Sequence, residues 1–180
     1  PPNDTSAYSS ASATAQLTVT PVNDPPVVDL NGSAPGIDFA TSFDPPGPQT
    51  IAIVDSNGLT VTDVDSPNLS GATIILTNPQ DGTNERLILN GQTGDFTVGN
   101  ITVTYGTNGH SITLSGLNTL ANYQTLLRTL QYSNTRTFPN LTTRVVTVVV
   151  RDDAGASSAT ANATISFLDG QPPSIDLNGA

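Results

Sequence analysis

Carboxylate and amide side chains are the residues whose types and spacing could do chemistry in this chain. Asp63 and Asp65 are two residues apart, so an extended backbone places both carboxylates on one side. Asn23 and Asp24 precede two prolines, and Asp152 opens an Asp-Asp-Ala-Gly turn. Calcium takes six to eight oxygen ligands from carboxylates, amides, backbone carbonyls and water. These three segments therefore indicate calcium ligands.

Catalysis fits the remaining groups less well. The chain has no Cys and one histidine, His110, between Gly109 and Ser111 in an apparent hairpin turn. A Ser-His-Asp triad needs an oriented imidazole, and metal catalysis through several histidines needs more than one. Asp pairs could serve a glycoside hydrolase, but aromatic residues are only 5% and Trp is absent. We expect no enzyme, and an acid–base hydrolase is the last of our hypotheses.

The charge balance excludes two classes of partner. Asp and Glu total 15 against 5 basic residues, which gives a formal charge of −10, and every basic residue is Arg. Nucleic acid and anionic membrane surfaces both require a dense positive surface. The longest apolar runs, such as residues 145–150, are too short to cross a bilayer, so direct membrane insertion is not expected. A polar surface dominated by Ser and Thr suits an extracellular protein.

The chain carries a long-period internal repeat. Pro-Pro-Val-Val-Asp-Leu-Asn-Gly at 25–32 recurs as Pro-Pro-Ser-Ile-Asp-Leu-Asn-Gly at 172–179. The preceding segments also match in order, with Leu17 on Ile165 and Val19 on Phe167. We therefore expect residues 1–22 to be the C-terminal end of a preceding repeat, 23–169 to be one complete repeat, and 170–180 to begin the following repeat. The Asp-Leu-Asn-Gly segments themselves predict turns.

Short apolar runs separated by Gly, Asn, Asp and Pro predict an all-β sandwich or barrel. The strands are expected at 51–54, 59–64, 72–77, 86–89, 101–105, 111–114, 144–151 and 159–167. One helix over about 118–130 is predicted from Leu117, Leu120, Tyr123, Leu127 and Leu130 on one face, with Asn118 as its N-cap. The proline-rich residues 43–48 predict a loop or an edge segment.

Three motifs together resemble a known family. Val22-Asn23-Asp24-Pro25-Pro26, Thr62-Asp63-Val64-Asp65-Ser66 and Arg151-Asp152-Asp153-Ala154-Gly155 are joined by Leu114-Ser115-Gly116 and a Tyr-x-x-x-Leu-Arg-x-Leu-x-Tyr-Ser-Asn run at 123–134. This pattern resembles the cadherin-like tandem repeats of large bacterial surface and adhesin proteins, and it is similar to the repeats of chondroitin-sulfate proteoglycan ectodomains. The resemblance implies a cadherin-like or immunoglobulin-like antiparallel β-sandwich with one short helix.

The resemblance also implies calcium at the junction between consecutive repeats. Asn23 and Asp24 would be the linker ligands, Asp63 and Asp65 the Asp-x-Asp pair, and Asp152 the later ligand. Glutamates expected from the preceding repeat are missing, since Glu85 is the only Glu and stands elsewhere. The second linker, residues 169–173, lacks the Asn-Asp pair, so calcium is expected at the first junction rather than the second.

Six Asn-x-Ser/Thr sequons could accept N-linked glycans in a secreted protein. They begin at Asn3, Asn31, Asn68, Asn100, Asn140 and Asn162. Their number is only slightly above chance for this composition. The sequence therefore allows a glycan-coated filament without requiring one.

Three hypotheses for function follow from these observations. The first is a structural spacer repeat of a long extracellular adhesin or surface filament, rigidified by calcium at its junctions, with neighbouring repeats or identical subunits as partners. The second is an adhesin module that binds surface glycans or a protein partner. A variant of the first is a filament subunit in which residues 1–22 complete the sheet of a neighbouring copy by strand exchange. The third is the acid–base hydrolase named above.

Overall fold

The fold is all-β with one helix, in a computed structural model that describes residues 12–45 and 50–168. In chain order the strands are β1 (Val27–Asp29), β2 (Phe39–Phe43), β3 (Thr50–Ala52), β4 (Thr60–Thr62), β5 (Asn68–Leu76), β6 (Glu85–Ile88), β7 (Phe96–Val98), β8 (Ile101–Tyr105), β9 (Ser111–Thr119), β10 (Gln131–Asn134), β11 (Arg144–Asp152) and β12 (Ala161–Phe167). The helix α1 (Leu120–Leu127) lies between β9 and β10.

A seven-stranded sheet with the order β2-β12-β11-β5-β9-β8-β7 forms the larger layer. The inner strand β11 shows why the sequence folds this way, because Val146, Val148 and Val150 alternate with less buried residues and all three are fully buried. Period-two burial of this kind turns one face of the sheet toward the core. The long central strands thus provide the frame on which both ends of the domain are built.

A three-stranded sheet with the order β3-β10-β6 packs over part of this layer, and β1 and β4 form a separate two-stranded ribbon. The contact between the layers is aromatic. The ring of Tyr132 on β10 meets Phe43 of β2 and Phe167 of β12 edge to face, with centroids 5.9 and 6.2 Å apart. This packing confirms the predicted β-sandwich.

All eight predicted strands are present, with ends shifted by a few residues. Four short strands were not predicted: β1, β2, β7 and β10. The prediction of an antiparallel sandwich holds for every pair except one, since β2 runs parallel to β12 with Phe39 opposite Ala163. The edge strand β2 ends at Phe43, so the predicted edge segment is confirmed at the start of residues 43–48. Residues 46–49 lie outside the described part of the chain.

The helix begins later than predicted and has a different cap. Strand β9 continues to Thr119, so Asn118 still belongs to the sheet and cannot cap the helix. The hydroxyl of Thr119 instead accepts a hydrogen bond from the backbone N–H of Asn122 at 3.3 Å. Leu117 is exposed rather than part of the apolar face, whereas Tyr123 and Leu127 are buried as predicted. None of the helices in residues 12–45 and 50–168 is long and apolar enough to cross a membrane.

Residues 12–22 have no regular secondary structure, and their side chains are exposed. Leu17 and Val19, which match buried or half-buried positions of β12 in the internal repeat, are exposed as well. The division into residues 1–22, 23–169 and 170–180 stays a prediction. Residues 1–11 and 169–180 lie outside the described part of the chain.

Candidate metal centre at one end of the sandwich

Strand pairing brings the predicted ligand segments to one end of the fold. β1 is antiparallel to β4 with Val27 opposite Thr62, so the residues before β1 lie beside the residues after β4. Asn23 and Asp24 precede β1, and Asp63 follows β4. β11 ends at Asp152, near the same place.

Two hydrogen bonds connect the linker to these carboxylates. The side-chain amide of Asn23 donates to Oδ2 of Asp152 at 2.7 Å. The backbone N–H of Asp24 donates to Oδ2 of Asp65 at 3.1 Å. The structure therefore brings together Asn23 with Asp152 and Asp24 with Asp65, which are 129 and 41 residues apart in sequence.

Asp63 holds the turn with one oxygen and leaves the other unpartnered. Its Oδ1 accepts from the backbone N–H groups of Asp65 at 3.1 Å and Ser66 at 2.9 Å. Its Oδ2 is buried and has no hydrogen-bond partner among the described residues. An unsatisfied buried acceptor costs about 1–3 kcal/mol, and more when it is charged. A cation beside this oxygen would remove that cost.

Asp152 is fully buried at the end of β11. Burial alone would raise the pKa of its carboxyl, but hydrogen bonds from Asn23, Ala156 and Gly155 outweigh burial and hold the pKa below its usual value. The backbone N–H groups of Gly155 and Ala156 donate to Oδ1 at 2.5 and 2.7 Å. Asp152 is therefore an anion at neutral pH.

The donor set fits a hard cation in type but is incomplete in number. Within residues 12–45 and 50–168, no group of three or more His, Cys, Asp or Glu side chains is placed to hold a metal ion. Nδ2 of Asn23 faces the Asp152 carboxylate as a hydrogen-bond donor. Turning that amide over would present Oδ1 in its place, and main-chain carbonyls and water are ordinary calcium ligands.

The sequons differ in accessibility. Asn100 and Asn140 are exposed, and Asn100 lies in the two-residue turn between β7 and β8. Asn31, Asn68 and Asn162 are half-buried and use their amide nitrogens in hydrogen bonds. Asn3 lies outside the described residues. Glycosylation therefore stays a prediction that suits Asn100 and Asn140 best.

The predicted Asp-Leu-Asn-Gly turn is present at residues 29–32. The backbone N–H of Asn31 donates to Oδ1 of Asp29 at 2.9 Å. The amide of Asn31 also donates to the backbone carbonyl of Asp38 at 2.7 Å. This segment closes β1 as a turn.

Sequence reasoning missed a buried charge cluster at the opposite end of the fold. The guanidinium of Arg144, the first residue of β11, donates through Nε to Oε2 of Glu85 at 2.8 Å and through Nη2 to Oδ2 of Asp81 at 2.9 Å. The hydroxyl of Tyr132 donates to Glu85 at 2.6 Å, and the amide of Asn134 donates to Asp81 at 2.8 Å. We call these five residues the arginine cluster.

The arginine cluster has a structural role. Burial would raise the pKa of Glu85, but the Tyr132 hydroxyl, the backbone N–H of Asp81 and Arg144 together hold that pKa below its usual value. The guanidinium carbon of Arg144 also lies 4.4 Å from the centroid of the Phe167 ring. A signal was present in the sequence, because Arg144 occupies an inward position two residues before Val146.

His110 is less free than the sequence indicated. The sequence predicts an exposed turn or strand-entry histidine. His110 directly precedes β9, and its Nε2 lies 2.9 Å from the carbonyl of Gly82 and 3.1 Å from the carbonyl of Glu85. The imidazole therefore joins the β8–β9 turn to the β5–β6 connection.

The comparisons with known proteins add no argument to the fold described above. No protein-family model matches the sequence, and a search of curated proteins finds no match. A crystal structure of the Coh-OlpC-Doc435 complex, a type I cohesin–dockerin complex from Clostridium thermocellum, is similar with a TM-score of 0.39 and 10% sequence identity. The alignment covers 84% of this chain and 100% of that chain. A likeness at this level carries no argument, so the cadherin-like resemblance rests on the motifs described above.

Proposed function

We propose that this chain is a structural spacer repeat of a long extracellular surface protein, stiffened by calcium at the end of the sandwich that holds Asp152. The observation that carries the proposal is the linker itself. Asn23 and Asp24 are hydrogen-bonded to Asp152 and Asp65, next to the buried and unpartnered Oδ2 of Asp63. The internal repeat supports a tandem array of such units.

The electrostatic forces at this junction differ between the calcium-free and the calcium-bound protein. Without a cation, the carboxylates of Asp24, Asp63, Asp65 and Asp152 repel one another. Calcium would supply the positive charge that neutralises them, and these residues with Asn23 would hold it. Pro26 is buried at the start of β1, so the chain leaves the junction along a restricted path. The proposed effect of calcium is to fix the linker against the domain.

The first test is thermal unfolding of residues 1–180 in calcium and in excess chelator. Binding to the native state alone stabilises it by RT ln(1 + [L]/Kd), about 2.7 kcal/mol at a hundredfold excess over Kd. We expect calcium to raise Tm, and we expect Asp63→Asn or Asp24→Asn to abolish the increase. Asp44→Asn is the matched control, because Asp44 is an exposed aspartate after β2 at the opposite end. An equal Tm in calcium and chelator would overturn the calcium junction.

A second candidate function is glycan or protein binding by a small pocket between α1 and the β7 edge of the sheet. The pocket has a volume of about 240 Å³ and is lined by Asn90, Val98, Gly99, Ile101, Asn118, Asn122, Thr125, Leu126 and Thr129. A lining of amide and hydroxyl side chains together with apolar ones suits a neutral, hydroxyl-bearing ligand. A glycan array probed with the parent and with Asn122→Ala tests this candidate, and an array with no binding to the parent would remove it.

Strand exchange is supported by a different observation. Residues 12–22 are exposed and carry Leu17 and Val19 at alternate positions, as a strand requires. Filament assembly would bury them in a neighbouring copy. Sedimentation over a range of concentrations tests this, because a chain that stays monomeric would exclude assembly through residues 12–22.

A further inference from the structure

The two ends of the sandwich both expose apolar side chains. β11 runs from Arg144 to Asp152, and nine residues at about 3.3 Å each separate these ends by roughly 25–30 Å. The candidate metal centre lies at the Asp152 end and the arginine cluster at the Arg144 end. Leu168, which follows β12, is partly exposed at the Arg144 end.

At the Asp152 end, Val64 stands between Asp63 and Asp65 and is 89% exposed. The turn beneath it is held by the two hydrogen bonds to Oδ1 of Asp63. A branched apolar side chain is thus presented to solvent on a fixed turn, with carboxylates on both sides. We call residues 63–65 the valine turn.

At the Arg144 end, the connection between β10 and β11, residues 135–143, presents Phe138, which is 77% exposed. We call this segment the phenylalanine loop. Arg136 lies two residues earlier with half of its side chain exposed, and its Nη1 is 3.5 Å from Oδ1 of Asp81. The loop therefore offers one exposed aromatic ring, while the nearby guanidinium is paired with Asp81.

The arginine cluster holds the phenylalanine loop in place. The backbone N–H of Asn140 donates to both Asp81 oxygens at 3.2 and 3.1 Å, and Nη1 of Arg144 donates to the carbonyl of Asn140 at 3.1 Å. Oδ1 of Asn134 accepts from the backbone N–H of Arg136 at 3.0 Å. The backbone on both sides of Phe138 is fixed while its ring stays in solvent. The ring is therefore held in an exposed position in which another surface can pack against it.

We propose that the phenylalanine loop of one repeat docks on the valine turn of the next repeat, with Phe138 against Val64. This rests on the proposed spacer function. The two surfaces each present an exposed apolar side chain, and they lie at opposite ends of one domain. They therefore form a head-to-tail contact that can continue along an array.

The occupant is a second copy of this repeat, as the sequence indicates. Beyond Leu168 the chain reaches a second Pro-Pro-x-x-Asp-Leu-Asn-Gly segment at 172–179, which matches the entry to β1 at 25–32. In a following copy, this segment would lead into that copy's β1. The valine turn of that copy then lies next to the start of its β1, because Val27 pairs with Thr62. The valine turn is thus on the surface that faces the preceding copy.

The test uses a chain in which residues 1–168 are followed directly by residues 21–180. Thr20 matches Leu168 in the internal repeat, so residue 21 can follow residue 168 without changing the spacing. The two copies are then joined by the linker that contains Asn23 and Asp24. An aromatic ring shifts the NMR signals of methyl groups packed against it. We expect the Val64 methyl signals of the second copy to lie upfield of those of the first. That difference should disappear with Phe138→Leu in the first copy and persist with Leu117→Ser, an exposed apolar control on β9.

Equal Val64 signals in the two copies of the unsubstituted chain would overturn the contact.

A second measurement on the same two-copy chain tests the spacer function. Because the chain has no Cys, Thr104→Cys in each copy gives two unique positions for spin labels. A distance distribution that is narrow in calcium and at least twofold broader in chelator supports the stiffened spacer. Equal widths would overturn that function whatever the Val64 signals show.

Discussion

Arg144 is the largest fully buried side chain among the described residues. Two carboxylates from a different segment of the chain neutralise its charge. Hydrogen bonds at Nε and Nη2 allow one placement of Glu85 and Asp81 relative to β11. Buried ionic groups of this kind contribute less to net stability than to geometry. In this protein they set the position of the phenylalanine loop relative to the sheet.

Replacing Arg144 tests this cluster. We expect Arg144→Met to lower the free energy of unfolding by about 3–5 kcal/mol, because Glu85 and Asp81 would remain buried without their partner. Arg151→Met on the same strand is the control, since Arg151 is exposed, and it should change stability by less than about 1 kcal/mol. Urea unfolding measures both. A small loss for Arg144→Met would mean that the cluster is hydrated.

The lowered pKa of Glu85 predicts acid sensitivity. A carboxyl whose folded-state pKa lies below its ordinary value of 4.5 contributes stability that is present above pH 4.5 and is lost as the pH falls through the folded-state pKa. The deficit of Glu85→Gln relative to the parent should therefore be largest near pH 7 and shrink below pH 4.5. Thermal unfolding between pH 3 and pH 7 measures this difference. A deficit that stays constant with pH would show that the charge of Glu85 does not contribute.

At the scale of elements, α1 depends on a cap that β9 supplies. Thr119 ends the strand and also accepts the hydrogen bond from Asn122. Thr119→Ala should cost about 0.5–2 kcal/mol of unfolding free energy. Thr125→Ala, on the exposed face of the same helix, should be neutral or slightly stabilising, because Ala has the higher helix propensity. Equal losses for the two variants in urea unfolding would contradict the assignment of the cap.

Gly116 lets two strands of the sheet approach closely. Its φ is +123°, and a Cβ atom there would lie 1.9 Å from the carbonyl oxygen of Asn100. Gly116→Ala should therefore cost more than about 2 kcal/mol, from strain together with a clash against backbone. Gly94→Ala is the control, since a Cβ atom at Gly94 meets nothing within 4 Å. Chemical denaturation of both variants tests this prediction.

Over the whole molecule, sequence periodicity predicted the long strands because burial on one face leaves an alternating pattern. β11, with Val146, Val148 and Val150 inward, is the clearest case. Three of the four unpredicted strands, β1, β2 and β10, pair only with strands distant in sequence, so no hairpin signal marks them. The cap of α1 was placed one residue early because a strand that runs directly into a helix leaves no break in composition.

The sequence likewise predicted the candidate metal ligands but not the arginine cluster. Motif resemblance named Asn23, Asp24, Asp63, Asp65 and Asp152, and the hydrogen bonds of the structure join the linker pair to Asp152 and Asp65. The arginine cluster escaped prediction because its members come from three separate segments, and Asp81 lies in a loop where an Asp is ordinarily a turn residue. Only tertiary packing brings that carboxylate to Arg144.

The parallel pair of β2 and β12 determines how the domain would carry a mechanical load. When a tethered chain is pulled from its two ends, the force on β2 is directed toward its first residue and the force on β12 toward its last. Because the strands are parallel, with Phe39 opposite Ala163 and Phe43 opposite Phe167, these forces slide one strand along the other. Hydrogen bonds loaded in shear must break together, whereas those of a hairpin pulled from its open end break one at a time. The edge of the sheet would thus act as a mechanical clamp against rupture under tension.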